Sequence, residues 1–484
     1  MRLRSAVLVA LLSLTFTLPA AATNAEPRWH VAQIASLPHG ALGIPQGYLP
    51  ALSCPLAGYC TAGGAYNDAS GNAQGLVLSE SAGLWKTPTK LLAPLGALIN
   101  PSLTVESISC GAVGSCVAVG NYLDTSNGAQ SFLASEVHGL WSRSREVLLP
   151  ANAATTGQKS QLRSISCTSA RDCSAVGSYL DNSTPTGHSV GYVLSEVRGS
   201  WSNAIETREP ADANVNPYVG FNQITCGAAG DCSAVGSYID RNNVTHGLLL
   251  DQRGGTWNGG SVLALPGDAN SFPSATLSEV SCATATNCTA IGTYTTILGA
   301  INGLTTTDVG GTWQRATAMQ LPSGFGANPH VFFYGFAGLS CTSIGSCTAG
   351  GQYRDATALF EGFLINEVNG VWEQATELTL PNGARAAGKN GGVVAVSCRR
   401  AGDCSAGAAY LDGADRYQAL IVNEVGNHWG AGLEVKLPPR ATSVGADGGV
   451  YGLVCDRRGP CAATGSFLDS TSTSTYEGFT VSTD

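Results

Sequence analysis

Apolar and small residues alternate with period two in short runs that recur along the whole chain. In one such run, ISC at residues 165–167 is followed by CSAVGSY at residues 173–179, and this order returns at intervals of 56 to 59 residues. Residues two apart lie on one face of a strand, so each run predicts strands with one packed face. A fixed period of this length indicates one structural unit copied along the chain.

Each unit predicts four strands, named a to d in chain order. Strand a ends at the first cysteine of the unit, and strand b runs from the second cysteine to a tyrosine six residues later. Strand c is an apolar stretch such as GYVL at residues 191–194. Strand d begins at a tryptophan and ends near Leu-Pro, as in WEQATELTLP at residues 372–381. The period of two, rather than 3.6, disfavours a helical repeat.

The eight tryptophans predict how the repeat is closed. Seven of them open strand d of units one to seven, while unit eight stops after strand c at GFTVSTD. The missing strand lies at the amino end, where residues 28–38 carry Trp29 and the Leu-Pro ending. A first strand that completes the last sheet closes a ring, so we expect an all-β, eight-bladed β-propeller of four-stranded blades. An open solenoid is the alternative, although it would not need its first strand to fill its last gap.

All 16 cysteines fall into eight pairs, and the two members of each pair are six positions apart. Pairs that bracket the a–b turn predict one structural disulfide in each blade. Metal ligation and redox catalysis are the alternatives, but zinc sites favour closer cysteines with additional Cys or His partners. The pairs are Cys54/Cys60, Cys110/Cys116, Cys167/Cys173, Cys226/Cys232, Cys282/Cys288, Cys341/Cys347, Cys398/Cys404 and Cys455/Cys461.

Residues 1–25 predict a secretory signal peptide, because a basic start precedes a short apolar stretch and small residues. Cleavage is expected after Ala22 or Ala25. The apolar stretch is shorter than the ~20 residues of a membrane span, and no later segment is long and apolar enough. Residues 26–484 are then expected to form a single propeller with residues 26–38 as the closing strand. We expect the mature chain to be secreted, periplasmic or held at the cell surface.

Composition limits the partners. The chain has 25 Lys and Arg against 34 Asp and Glu, for a formal net charge of −9. An acidic protein repels nucleic acid and anionic lipid, so neither is an expected partner. Charged residues make up only 12% of the chain and glycine contributes 61 residues, which suits short strands and tight turns. We expect a monomer.

The c–d turn of unit five resembles the Asp-box of sialidase-like propellers, also called BNR repeats. Residues 306–313 read TTDVGGTW, close to the pattern Ser/Thr-x-Asp-x-Gly-x-Thr-Trp. In unit four, Asp251 stands six residues before Trp257. In five other units a glutamate stands five residues before the tryptophan: Glu80, Glu136, Glu196, Glu367 and Glu424. The repeat with its cysteine pairs looks like a class of secreted actinobacterial repeat proteins.

The resemblance implies a fold more than an activity. In the family the Asp-box is a structural turn on the face opposite the active site. The catalytic members have an Arg-Ile-Pro motif near the start, an arginine triad, a Tyr/Glu nucleophile pair and an Asp acid, on six-bladed rings. No Arg-Ile-Pro occurs in this sequence. The resemblance therefore favours a protein without catalysis, and no catalytic residue is assigned.

Seven units carry an aspartate eight residues past the second cysteine, where the b–c turn begins. A ring of carboxylates is able to bind calcium or to supply an acid and base for glycoside cleavage. The alternative is that each aspartate bonds the backbone of its own turn. These aspartates are Asp68, Asp124, Asp181, Asp240, Asp355, Asp412 and Asp469, with Thr296 in unit five.

The d-to-a crossings vary most, and variable loops on a constant frame are where specificity is expected. The richest, GANPHVFFYGFAG at residues 326–338, contains His330, Phe333 and Tyr334. Other crossings contain Tyr218, Phe221 and Phe272. Aromatic side chains there either contact a ligand, plug the axial channel or pack between blades.

We therefore expect a secreted propeller that binds a glycan or a protein on its variable loop face without catalysis. The alternative is a sialidase-like carbohydrate-active enzyme, a glycoside hydrolase or lyase, with two carboxylates about 5 to 9.5 Å apart in a pocket. No cofactor is predicted other than the calcium weighed above.

Overall fold

Eight antiparallel sheets form the architecture. The computed structural model describes residues 26–42, 47–155, 157–185, 187–322, 333–355, 359–385, 391–438, 448–457, 459–469 and 476–483. Within these ranges the regular elements are all strands, and no helix long and apolar enough to cross a membrane occurs. Each sheet contains strands a, b and c in neighbouring positions with the strand-d segments at its outer edge. The predicted all-β, eight-bladed propeller is confirmed.

Three long strands make up each blade, from blade one to blade eight. Strand a spans Gly47–Leu56, Thr104–Ala112, Gln161–Ser169, Gly220–Ala228, Thr276–Thr284, Phe333–Ser343, Gly392–Arg400 and Gly449–Cys455. Strand b spans Tyr59–Asn67, Ser115–Leu123, Asp172–Leu180, Asp231–Ile239, Asn287–Thr295, Ser346–Arg354, Asp403–Leu411 and Cys461–Leu468. Strand c spans Ala73–Ser81, Ala129–Val137, Ser189–Val197, Thr245–Arg253, Ile301–Thr307, Phe360–Val368, Tyr417–Val425 and Tyr476–Ser482.

Strand d differs from the prediction, because it is two short segments instead of one continuous strand. In blade two, Leu140–Trp141 and Arg145–Glu146 both pair with strand c, and the three residues between them leave the ladder. The tryptophan ends the first segment and does not open the strand. In chain order the segments of the other blades are Gln33–Ile34, Leu84–Trp85, Thr89–Lys90, Ser200–Trp201, Ile205–Glu206, Thr256–Trp257, Ser261–Val262, Thr317–Ala318, Val371–Trp372, Thr376–Glu377, His428–Trp429 and Leu433–Glu434.

The amino end closes the ring inside blade eight. Gln33–Ile34 pairs antiparallel with strand c of that blade, opposite Thr480 and Phe479. Trp29 forms a bridge with Thr483. In the other blades, the tryptophan pairs with the residue at the equivalent position of strand c. Trp29 also packs with the buried side chains of Phe479 and Val481. The predicted closure is thus observed.

The cysteine pairs form eight disulfides, and the described residues contain no free cysteine. In blade two, Cys110 lies directly opposite Cys116 in the a–b ladder. Strand a does not end at its first cysteine but runs two residues further, so the bridge crosses a hairpin that continues to a two-residue turn. Disulfides of this kind form in oxidising compartments, which places the folded chain outside the reducing cytoplasm.

The second cysteine of every pair is buried, because strand b turns that side chain toward the preceding blade. These cysteines are at most 4% exposed: Cys60, Cys116, Cys173, Cys232, Cys288, Cys347, Cys404 and Cys461. Reactive cysteines are found in partly exposed surroundings, whereas buried cysteines are inert. The pairs therefore belong to the core and not to an accessible site, which disagrees with the redox and metal alternatives and agrees with structural bridges.

A β-bulge in strand a explains the repeated glycine of strand b. In blade two the register shifts between Val105 and Ser107. This bulge brings the Thr104 carbonyl oxygen so near that a Cβ on Gly120 would lie 1.9 Å from it. The glycine is therefore needed because of the bulge in strand a of its own blade.

The core consists of layers between successive blades. The strand-b face that carries cysteine, alanine and tyrosine packs on the preceding blade, as Cys173, Ala175 and Tyr179 do against Val119 and Leu133. Strands a lie innermost and the strand-d segments outermost, so turns and crossings project at the two ends of each blade.

Candidate functional site

The b–c turns and the d-to-a crossings lie together at one end of the blades, which we call the variable face. Within the described residues, backbone bridges join six crossings to the b–c turn of the next blade, for example Ala97 to Asp124 and Ala213 to Asp240. The a–b and c–d turns meet at the opposite end, as shown by the bond from the Gly83 amide to the Gly58 carbonyl. The b–c aspartates therefore belong to the variable face.

The b–c aspartates hold their own turns. Asp124 accepts hydrogen bonds from the backbone amides of Ser126 and Gly128 and from the side chain of Gln130. Asp68, Asp181, Asp240, Asp355 and Asp412 each accept at least one backbone amide of their own turn in the same way. Asp469, in the last blade, is almost fully buried. These contacts are the ones expected if each aspartate bonds the backbone of its own turn. A ligand-binding role for this ring of aspartates stays a prediction.

Hydrogen bonds also lower the pKa of five of these carboxyls, those of Asp68, Asp124, Asp181, Asp240 and Asp412. Burial opposes the charge of Asp412, but bonds from Arg416, Ala414 and Gln418 outweigh it and lower the pKa to about 2. At Asp68, the amide of Asn72 contributes most to the lowered pKa. Over the residues with described positions, no cluster of three His, Cys, Asp or Glu side chains is arranged to hold a metal ion.

Beneath the turns, a buried tyrosine of strand b donates its hydroxyl to a carboxylate in blades two to seven. In blades two, three, six and seven the acceptor is a glutamate of strand d, such as Glu146 at 2.9 Å from Tyr122. In blades four and five it is Asp212 or Asp268 from the preceding crossing. Burial and the acid raise the pKa of Tyr122. Its ring is only 1% exposed, so the pair resembles no accessible nucleophile.

The aromatic crossing that drew attention in the sequence is only partly described. His330 lies outside the described residues, and Phe333 and Tyr334 begin strand a of blade six. Phe336 is buried against Phe363, with ring centroids 5.8 Å apart. Aromatic packing between blades thus accounts for Phe336.

Two other predicted aromatic residues are exposed at the tips of crossings. Tyr218 is 60% exposed and Phe272 is 65% exposed, on the crossings that enter blades four and five. Phe221, in contrast, is buried in the layer between blades three and four. None of these three residues lines the cleft described next.

A cleft of about 1020 Å³ opens on the variable face where blades seven, eight and one meet. Tyr48 is 49% exposed, and its ring meets that of Tyr451 edge to face with centroids 5.4 Å apart. Tyr417 and Tyr476 also expose more than a third of their surface. The described lining residues are Gly47, Tyr48, Ala65, Tyr66, Asn67, Ala409, Asp415, Tyr417, Gly448, Tyr451, Ser466 and Tyr476.

The chemistry of this cleft is amphipathic. Five of the described lining residues are tyrosines, which combine flat apolar rings with hydroxyl groups. Burial, followed by the nearby Tyr451 and Glu106, raises the pKa of Tyr48, so its hydroxyl keeps its proton. Asp415 is the one carboxylate among the described lining residues, and it is paired with Arg385 at 3.1 Å.

The sequence prediction missed this cleft. Tyr48, Tyr417, Tyr451 and Tyr476 stand outside the repeated tyrosine position and were not singled out. A usable pattern existed, since Tyr451 occupies the bulge position of strand a, where blade two has Glu106 and blade three has Arg163. That pattern is recognisable only when the position of the bulge in strand a is known.

At the opposite face, an acidic or amide side chain pairs across the ladder with each strand-d tryptophan of blades one to seven. The partner of Trp257 is Gln252, so Asp251 is not the box residue that its spacing suggested. Asp251 instead accepts the indole N–H of Trp313, in the next blade, at 3.0 Å. The box aspartate itself, Asp308, is fully buried and accepts a bond from Arg253 at 2.7 Å.

No family model matches the chain, and no curated protein matches its sequence. Solved structures do show likeness at low identity. One is a sialidase from Trypanosoma rangeli bound to the inhibitor DANA, with 10% identity and a TM-score of 0.36 over 81% of this chain and 57% of the sialidase. The chain thus spans little more than half the length of that enzyme.

Two further structures are a lectin and a peptidase. A fucose-specific lectin from Aleuria aurantia is 11% identical, with a TM-score of 0.30 over 72% of this chain and 100% of the lectin. A puromycin-hydrolyzing peptidase of Mycobacterium tuberculosis is 9% identical, with a TM-score of 0.43 over 92% of this chain and 62% of the peptidase. All three structures share 11% identity or less with this chain, and they assign it neither a family nor a ligand.

Proposed function

We propose that this protein is a secreted, non-catalytic propeller that binds a glycan in the tyrosine cleft of its variable face. The observation that carries this function is the exposure of Tyr48, Tyr417 and Tyr476 around one cavity of about 1020 Å³. Tyrosine offers a large rigid surface at low entropic cost, together with a hydroxyl for hydrogen bonds. The apolar faces of pyranose rings and their equatorial hydroxyls match both features.

The charges around the cleft favour binding over hydrolysis. Hydrolysis of a glycoside needs two carboxylates on opposite sides of the scissile bond. The described lining supplies Asp415 alone, and its partner Arg385 holds it in an ion pair. The ligand expected from these groups is an uncharged oligosaccharide, because no arginine lies among the described lining residues to receive a sugar carboxylate.

A glycan array with substitution variants tests the proposal. Tyr48→Ala and Tyr417→Ala should each weaken binding of the best array ligand about tenfold or more, as loss of a central aromatic contact does at other interfaces. Tyr218→Ala is the matched control, because Tyr218 is also exposed on the variable face but lies outside the cleft. Binding that survives both cleft substitutions, or that Tyr218→Ala abolishes, contradicts the assignment.

Three further measurements accompany the array. If the purified protein hydrolysed a fluorogenic glycoside, the proposed non-catalytic function would be wrong and the protein would be an enzyme. The disulfides fit export, and the signal peptide at residues 1–25 predicts a mature amino terminus at residue 23 or 26, which amino-terminal sequencing of the secreted protein reads directly. Gel filtration should show a monomer.

A further inference from the structure

Neighbouring blades are tied together by hydrogen bonds that repeat around the ring. The serine before the first cysteine of one blade accepts the amide of the first cysteine of the next, as Ser109 does from Cys167 at 2.9 Å. The same bond joins Cys110, Cys226, Cys341, Cys398 and Cys455 to Ser53, Ser166, Ser281, Ser340 and Ser397. This tie lies near the disulfides, at the end of the blades opposite the variable face.

Two more ties repeat at the outer and middle strands. In blades two to eight, the amide three residues past the tryptophan donates to the strand-d region of the preceding blade, as Ser144 does to Leu92 at 2.9 Å. The equivalent donors are Ala32, Ala204, Gly260, Ala316, Ala375 and Gly432. In addition, the hydroxyl after the second cysteine contacts the next blade's sulfur, as Thr61 contacts Cys116 at 3.4 Å.

The junction between blade eight and blade one carries residues unable to form any of the three ties. Val454 stands where the serine hydroxyl stands elsewhere, and Ala462 stands where the threonine or serine stands. Pro88 is the residue three past Trp85, and proline has no amide hydrogen to donate. The bonds are absent because these residues lack the hydroxyl or the amide hydrogen that forms them, whatever their positions.

Other contacts hold this junction. Asp456 accepts the amide of Ala57 at 2.9 Å, and the Thr464 hydroxyl donates to the Leu49 carbonyl at 3.0 Å. The chain also crosses here once, from the closing strand in blade eight to strand a of blade one. Among the described residues, each of the other seven junctions has two or three of the repeated ties, whereas this junction has none of them.

The tyrosine cleft lies on this same junction. Tyr48 belongs to blade one, and Tyr451 and Tyr476 belong to blade eight, so the edge-to-face contact of Tyr48 with Tyr451 crosses it. Ser466 in blade eight and Asn67 in blade one are further lining residues of the cavity. A ligand that fills the cavity must touch both blades.

We propose that an oligosaccharide bound in this cleft clamps blade eight to blade one and so closes the ring at the junction that lacks the repeated ties. The inference rests on the proposed glycan function. Ligand binding to the closed form alone shifts the local opening equilibrium by mass action. A monosaccharide reaches one wall only, so it should bind without clamping.

Hydrogen exchange without ligand tests the weak junction first. Peptides that cover residues 47–56 and 476–483 should exchange faster than the corresponding peptides around the junction of blades two and three. Val454→Ser restores one tie and should slow exchange at the weak junction about fivefold, the worth of one net hydrogen bond. The matched reverse change, Ser109→Val, should speed exchange at its own junction by the same factor.

Exchange with sugar then tests the clamp. Cellohexaose, mannohexaose and chitohexaose are added with their monosaccharides as comparison. The bound hexaose should protect residues 47–56 and 476–483, including amides near Cys54 at the far end of the junction, and Val454→Ser should reduce that extra protection. Binding that protects only the amides beside the cleft overturns the clamp and leaves the glycan function intact. Equal exchange at all junctions of the free protein also overturns the clamp. If no sugar binds here or on the array, the glycan function itself fails.

Discussion

Glu424 makes the stability of the protein depend on pH in the direction opposite to ordinary acid denaturation. Its side chain is fully buried beneath Trp429, and the Asn366 amide donates to one carboxyl oxygen. The other oxygen has no hydrogen-bond partner among the described residues. Burial is the main cause that raises the pKa from 4.5 to about 7, so the folded protein holds this carboxyl neutral in mildly acidic solution.

The sign and size follow from linkage. A carboxyl whose pKa is higher in the folded state stabilises the fold fully below its unfolded pKa of 4.5, and this contribution is lost as pH rises through about 7. The gap corresponds to roughly 3 kcal/mol at alkaline pH. Glu80, Glu136, Glu196 and Glu367 occupy the same position, and burial raises the pKa of each.

The assay is denaturant unfolding of the oxidised protein at pH 5 and pH 8, with Glu424→Gln as the perturbation. Glutamine keeps the size and stays neutral, so the variant should gain roughly 2 to 3 kcal/mol on the wild type between the two pH values. Asp412→Asn is the control, because hydrogen bonds lower that pKa to about 2 and the charge is retained at both pH values, so its difference from the wild type should be the same at pH 5 and pH 8. A difference between Glu424→Gln and wild type that is the same at pH 5 and pH 8 would refute the reasoning.

Three other changes have defined outcomes. Replacing Cys110 and Cys116 together by alanine removes a disulfide that closes a short loop and should lower the free energy of unfolding by about 2 kcal/mol in a denaturant titration. An unchanged midpoint would contradict a stabilising bridge. Tyr122→Phe removes the hydroxyl that donates to Glu146 and should cost about 1 kcal/mol, measured by the same unfolding assay; an unchanged midpoint would contradict a stabilising hydrogen bond. Trp29→Ala weakens the closing strand and should cost about 3 kcal/mol, with faster proteolysis at the amino end than in the wild type.

The repeat made most of the fold predictable. The spacing of Cys167 and Cys173 placed the hairpin and its disulfide, and the displaced Trp29 placed the closing strand. Strand d was predicted too long, because the tryptophan and the Leu-Pro ending mark its limits without showing that the middle leaves the ladder to bond the neighbouring blade. That departure depends on contacts between blades, which a single repeat does not contain.

The site was harder to predict because the residues that form it are exceptions to the repeat. The regular aspartates, such as Asp124, attracted a functional interpretation through their recurrence, yet the structure occupies their carboxylates with turn amides. Tyr48 and Tyr451 recur nowhere and stand 403 positions apart in the sequence. Only closure of the ring brings the first and last blades together.

The eighth blade shows how one departure is compensated by another. In blade two, Tyr122 of strand b donates to Glu146 of strand d. In blade eight the corresponding residues are Phe467 and Ile34, and Ile34 reaches its place from the amino end of the chain. Because Phe467 has no hydroxyl, no buried hydroxyl is left there without a partner. This pair of replacements indicates that the side chains of the closing strand match those of blade eight, to which the strand belongs. The junction that departs from the repeat is therefore the next one, between blades eight and one, where the tyrosine cleft lies.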